Sequence, residues 1–99
     1  MAEALMQDLP EGFGQAEYDA VNEKMNIAAE PPDGLIFHSA GQGPTGAWRI
    51  VDVWESRDHF ERFMQERLMP AFTEVSGQQP EEGQQPDTTW WPIHNTLIP

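Results

Sequence analysis

The stretch Trp48-Arg49-Ile50-Val51-Asp52-Val53-Trp54-Glu55-Ser56-Arg57 decides the fold of this chain. Aromatic and β-branched residues fill its first seven positions, which is the composition of a strand. Side chains alternate across a strand, so Trp48, Ile50, Asp52 and Trp54 share one face. Arg49, Val51, Val53 and Glu55 share the other. Both faces are apolar at the middle of the strand. A strand with one face in water shows one polar face, so something must cover each side here. Ser56 is a good helix N-cap, with Asp58 in the first turn behind it. Phe60, Phe63, Met64, Arg67 and Leu68 then recur at helical spacing, with Glu61, Arg62, Gln65 and Glu66 on the opposite side.

Working outward, residues 35–40 read as the preceding strand, joined to this one by Gly41-Gln42-Gly43-Pro44-Thr45-Gly46. That spacing matches G-x-G-x-x-G. A dinucleotide fingerprint needs a helix after it, so that the helix N-terminus meets the pyrophosphate. A strand follows instead, so the glycines read as a hairpin loop. Upstream, residues 3–9 read as a first strand, and Pro10, Gly12 and Gly14 punctuate a turn. Tyr18, Val21, Met25 and Ala28 form one helical stripe over residues 15–28, which Pro31 and Pro32 end. Downstream, Pro70 predicts a kink or break near Met69, with residues 71–75 as a short helical continuation. Residues 77–89 read as a mobile polar loop and residues 90–98 as a fourth strand.

The order is β-α-β-β-α-β in an α+β chain. Two right-handed crossovers around a central hairpin give a ferredoxin-like four-stranded antiparallel sheet with two helices on one face. The other face stays bare, and the simplest cover for it is the same face of a second copy, a homodimer.

Composition bounds the rest. A chain of 99 residues is one domain. It has no cysteine, which removes disulfides, thiol nucleophiles and thiolate metal sites and fits a reducing, cytoplasmic location. Seventeen acidic residues against five basic ones give a net charge of −12. Such a surface repels nucleic acid and anionic membranes. No stretch is apolar enough for a membrane span, and residues 1–9 lack the pattern of a signal peptide.

The stretch 48–57, followed by Phe60 and Phe63, resembles the third strand and second helix of the dimeric α+β barrel proteins. More narrowly, it resembles the antibiotic-biosynthesis-monooxygenase-like family. Asp33-Gly34-Leu35-Ile36 with His38, and Pro92-Ile93-His94-Asn95, are similar to that family's second and fourth strands. The resemblance implies a pocket between sheet and helices, with Trp54 and Phe63 against a flat aromatic ligand. It covers cofactor-free oxygenases of polycyclic aromatics, haem-degrading enzymes and members with no known reaction. Haem degradation requires a histidine on the second helix where this chain has Phe63, Met64 and Gln65, so it is disfavoured.

The remaining candidates are polar. His38 is a candidate proton carrier, because histidine changes charge near neutral pH. A lone strand histidine also serves simply as a hydrogen-bonded residue. Asp52 shares a face with large apolar residues, and a buried carboxylate is costly without a partner. It is either paired structurally or held as an acid or base. Tyr18 and Asn95 are further polar residues for the same pocket. No H-E-x-x-H or comparable spacing links the three histidines, so no metal or other cofactor is expected. Three functions stay open: a cofactor-independent monooxygenase of phenolic or polycyclic aromatic compounds, a non-catalytic ligand-binding or structural homodimer, and a polyketide-type cyclase or isomerase. A spacious cavity reached by His38 or Asp52 favours the enzymes; one filled by Tyr18, Trp54, Phe60 and Phe63 favours the second.

Overall fold

A computed structural model describes residues 2–10, 12–77 and 87–98. The elements run β1 (Glu3–Asp8), α1 (Gln15–Met25), β2 (Leu35–Gln42), β3 (Trp48–Trp54), α2 (Arg57–Phe63), a π-helical stretch (Met64–Leu68), α3 (Met69–Ser76) and β4 (Asp87–Pro92). The sheet order is β2-β3-β1-β4, with every neighbouring pair antiparallel. This is the ferredoxin-like arrangement that the element order implies.

Local chemistry sets the boundaries. The Ser56 hydroxyl accepts the His59 backbone N–H and caps α2. α1 ends three residues earlier than its apolar stripe, because Asn26 takes a left-handed conformation at φ 55° and closes the helix. The kink or break expected near Met69 takes the form of a widened turn, with the expected helical continuation after it. The Met69 N–H bonds to the carbonyl of Met64, five residues back. Pro70 has no N–H to give and its ring would clash with the carbonyl four residues before it. The π-helical stretch spreads the backbone there, and α3 follows directly.

The fourth strand needs the larger correction. It occupies Asp87–Pro92, not residues 90–98. Its polar half, Asp87 to Thr89, pairs with Asp8, Gln7 and Met6 of β1. Residues 93–98 follow it outside any strand. The expected mobile loop loses both ends accordingly: Gly77 caps α3 at φ 76°, and residues 87–89 are strand. Residues 78–86 lie outside the described part.

Register divides the sheet into two faces. Leu5 pairs with Asp52 and Trp90, and Leu35 pairs with Trp54, so these side chains share the helix face. Leu5 and Trp54 are 0% and 1% exposed and form the core with Phe60. Trp54 meets Phe60 edge-on at 5.5 Å, and Phe60 meets Trp90 likewise at 5.3 Å. Each such pair adds about 0.5–1.5 kcal/mol beyond the burial of its area. The opposite face carries Ala4, Met6, Val51, Val53, Phe37 and Trp91. Phe37 and Trp91 are 46% and 40% exposed there. On the same face Arg49 donates to both carboxylate oxygens of Asp8, at 2.7 and 3.0 Å.

Candidate functional site

The site begins with a buried carboxylate. Asp52 lies at the middle of the sheet on β3 and is 5% exposed. A charge placed there requires partners, and the sheet supplies them. The β2–β3 register sets His38 directly across from Asp52, and His38 Nδ1 lies 2.5 Å from Asp52 Oδ1. Two positions further along β3, and therefore on the same face, Trp54 donates its indole N–H to Asp52 Oδ2 at 3.1 Å. Each carboxylate oxygen thus accepts from one ring N–H.

This arrangement fixes the imidazole. A carboxylate can only accept, so His38 Nδ1 carries the hydrogen and Nε2 presents a lone pair when the ring is neutral. The Tyr18 hydroxyl hydrogen-bonds to that nitrogen. Tyr18 comes from the first turn of α1, where its backbone N–H bonds to the Gly14 carbonyl. Its ring lies nearly parallel to the His38 ring, with centroids 6.0 Å apart, and 5.5 Å from the ring of Trp48. The result is one directed chain of hydrogen bonds, Tyr18 to His38 to Asp52, with Trp54 bracing the far end.

Burial is the main cause that raises the Tyr18 pKa above its usual 10.0. A hydrogen bond with Asn22 opposes the shift, and the charges of Asp52 and Asp19 add to it. Tyr18 is therefore a protonated hydroxyl at neutral pH, able to take a proton at its oxygen only as it releases its own to His38. The imidazolium so formed is stabilised by Asp52.

The other sequence candidates land differently. Trp54 is a core residue and Phe63 packs against that core. Their rings pack at 5.4 Å within the core cluster, and Trp54 reaches the site only through its N–H. Asn95 is exposed and lies beyond the end of β4, because the strand ends at Pro92. His94 is exposed in the same segment. His59 has a structural place: its Nδ1 lies 2.7 Å from Ser56 Oγ, and its ring packs on Gly34. A Cβ at Gly34 would stand 2.4 Å from that ring, and φ there is +85°. Among the described residues no three potential ligands converge as a metal centre. A shallow depression lined by Gln65, Met69, Pro70, Thr73 and Glu74 contains none of the four residues of the relay.

Sequence reasoning missed Trp48 as a site residue. The signal was present in the alternation of β3, which puts Trp48 on the face of Asp52. Its indole N–H is buried and has no hydrogen-bond partner among the described residues.

Comparison with known proteins places the fold. No family model matches the chain, and no curated protein matches it. Solved structures do. The cofactor-independent oxygenase SnoaB from Streptomyces nogalater superposes with a TM-score of 0.57 at 15% identity, covering 97% of this chain and 94% of that one. An antibiotic biosynthesis monooxygenase superposes with a TM-score of 0.59 at 9% identity, covering 96% and 100%. Rv0793 from Mycobacterium tuberculosis superposes with a TM-score of 0.62 at 10% identity, covering 98% of each chain. Identities this low speak to the fold alone. At that level the resemblance read in residues 48–57 holds: the chain has the ferredoxin-like α+β fold of the antibiotic-biosynthesis-monooxygenase-like proteins.

Proposed function

We propose that this protein is a cofactor-independent monooxygenase acting on a phenolic or polycyclic aromatic compound. The observation that carries the reading is the hydrogen-bond chain from Tyr18 through His38 to Asp52 and Trp54. It is a general base with its acceptor nitrogen, its orienting carboxylate and a hydroxyl at the outer end. The fold shared with an oxygenase that uses no cofactor supports the same reading.

The chemistry needs only a base, a substrate and molecular oxygen. An anthrone illustrates it. The base breaks an acidic C–H bond, and the proton moves through Tyr18 to His38. The carbanion supplies the electrons that reduce oxygen, and a C–O bond forms at the same carbon. Loss of the second hydrogen and cleavage of the O–O bond leave a new carbonyl and one water. Anthrone and oxygen thus become anthraquinone and water, with one oxygen atom in each product.

The active form is proposed to be a homodimer through the sheet face that bears Phe37, Val51, Val53 and Trp91. The support is the exposure of Phe37 and Trp91 on a face with no helix over it. A non-catalytic ligand-binding dimer is the second reading, favoured by the packing of Trp54, Phe60 and Phe63 into a closed core. A cyclase or isomerase would use the same relay without oxygen.

The test is oxygen uptake with an anthrone or quinol, metals chelated, in wild type, Tyr18→Phe and His38→Ala. The expected loss is about 10²- to 10⁴-fold in each variant. Folded variants that keep the wild-type rate would remove the relay from the reaction. Product formed without oxygen would move the reading to the isomerase.

A further inference from the structure

Tyr18, the single tyrosine of the chain, has a base on its hydroxyl and an indole beside its ring. A phenol that loses one electron becomes a very strong acid, so its electron and its proton leave together. Burial keeps the Tyr18 hydroxyl protonated at neutral pH. Its oxidation therefore needs a base already in place. His38 Nε2 is that base, and Asp52 stabilises the imidazolium that results. Trp48 is the opposite case. Its ring is half-buried and 5.5 Å from the ring of Tyr18, but its indole N–H is buried and meets no acceptor among the described residues. Buried donors are almost always paired, so this one calls for an explanation. An indole that loses an electron here has nothing to take its proton. It stays a radical cation, the more strongly oxidising form, and draws an electron from the donor next to it.

We propose that Tyr18 is a one-electron donor site, oxidised through Trp48 by organic peroxyl radicals, with its proton passed to His38. In the first step the peroxyl radical takes one electron from the Trp48 indole. The peroxide anion so formed takes a proton from water and leaves as a hydroperoxide. In the second step the Trp48 radical cation takes one electron from Tyr18 while the phenolic O–H bond breaks toward His38 Nε2. Trp48 is restored, and the products are a Tyr18 phenoxyl radical and a His38 imidazolium. The imidazolium is held by Asp52 on one side and hydrogen-bonds the phenoxyl oxygen on the other. A one-electron reductant of the ascorbate class then returns the electron, and the same proton restores the phenol. The site thus removes radicals by a route that leaves no covalent change in the protein. It goes beyond the oxygenase reading, because it uses the same hydrogen bonds and needs no bound substrate.

The test is pulse radiolysis with the trichloromethylperoxyl radical, which oxidises indoles far faster than phenols. In the wild type the indole-radical absorption should fall as a tyrosyl absorption rises at the same rate. That rate should not depend on protein concentration, and it should be lower in heavy water. With a single tyrosine in the chain, the tyrosyl signal reports Tyr18 alone. Trp48→Phe keeps an aromatic ring beside Tyr18 and should remove this coupled phase. His38→Ala should slow it by about 10²-fold or more. Added imidazole should restore part of the lost rate, which it would not do if the variant had merely lost structure. Circular dichroism checks that both variants fold. Indole radicals that decay in the wild type with no tyrosyl rise overturn the proposal, whatever the variants do. An unchanged coupled phase in folded Trp48→Phe or His38→Ala overturns it as well. No aromatic substrate is present, so a wild type that shows the coupled phase but no oxygen uptake with anthrone keeps this site and loses the oxygenase, and the reverse result does the opposite.

Discussion

Replacing Asp52 by asparagine keeps the side-chain shape and deletes the charge on which the relay is built. Trp54 Nε1 still finds an acceptor if the new amide oxygen turns toward it. The amide nitrogen then faces His38 Nδ1, where the carboxylate oxygen stood at 2.5 Å. Two N–H groups cannot face one another, so the imidazole changes tautomer. Nδ1 becomes the acceptor, Nε2 carries the hydrogen, and His38 donates to Tyr18 instead of accepting from it. The relay is intact in outline and reversed in direction.

The magnitudes follow. Two charge-assisted hydrogen bonds become neutral ones, a loss of about 1–2 kcal/mol in total. For a domain of this size that lowers Tm by about 4–16 °C. The rate should fall by about 10²- to 10⁴-fold, as when asparagine replaces the aspartate beside a catalytic histidine. A second assay needs no substrate. The chain holds a single tyrosine, so the alkaline rise in tyrosinate absorbance reports Tyr18 alone. Burial is the largest cause of its raised pKa, and the Asp52 charge adds to it. The substitution removes that charge and points an N–H at the phenolate oxygen. Both changes favour the ionised form, so the midpoint should move down relative to wild type. A folded variant whose midpoint stays or rises would refute the tautomer argument. One that keeps the wild-type oxygen uptake would refute the relay.

Two further outcomes are expected. Light scattering at micromolar concentration should give about twice the 11.2 kDa chain mass, and Val53→Asp should halve it or unfold the chain by placing an unpaired charge on the apolar sheet face; a monodisperse wild-type monomer would sink the dimer. Alkaline stability should also report Tyr18. Its folded pKa is raised, so its contribution is complete below the unfolded value near 10.0 and is lost as pH rises through the folded value. Urea midpoints measured from pH 8 to 11 should therefore fall more for wild type than for Tyr18→Phe, and parallel curves would contradict the assignment.

The buried carboxylate was legible in the sequence because alternation on β3 is a local property. Asp52 among Trp48, Ile50 and Trp54 needed a partner, whatever the partner was. The partner was not legible in the same way. His38 meets Asp52 only in one register, and an irregularity between Leu35 and Phe37 shifts that register by one residue. No local rule fixes such a bulge. Tyr18 was visible on a helical stripe, but its bond to His38 depends on how α1 lies across the sheet. β4 was misplaced for a different reason. The apolar run at Trp90-Trp91 drew the strand C-terminally, whereas β4 is an edge strand, where polar residues such as Asp87 and Thr88 are tolerated. Asn95 falls beyond the strand with that shift.

The core and the proposed site are also mechanically joined, and Trp54 is the joint. Phe60 and Phe63 hold its ring, and the ring holds its N–H on Asp52 Oδ2. With that oxygen occupied, only Oδ1 is left for His38, and the carboxylate cannot turn away. The tautomer of His38 and the direction of the Tyr18 bond follow from a packed core rather than from a mobile loop. The surface charge complements this. A net charge of −12 disfavours the approach of an anionic ligand, so the substrate best admitted is neutral. A neutral phenol or keto-aromatic must then lose its proton after it has entered. That is the step for which a directed acceptor, held in place by the buried carboxylate of Asp52, is needed.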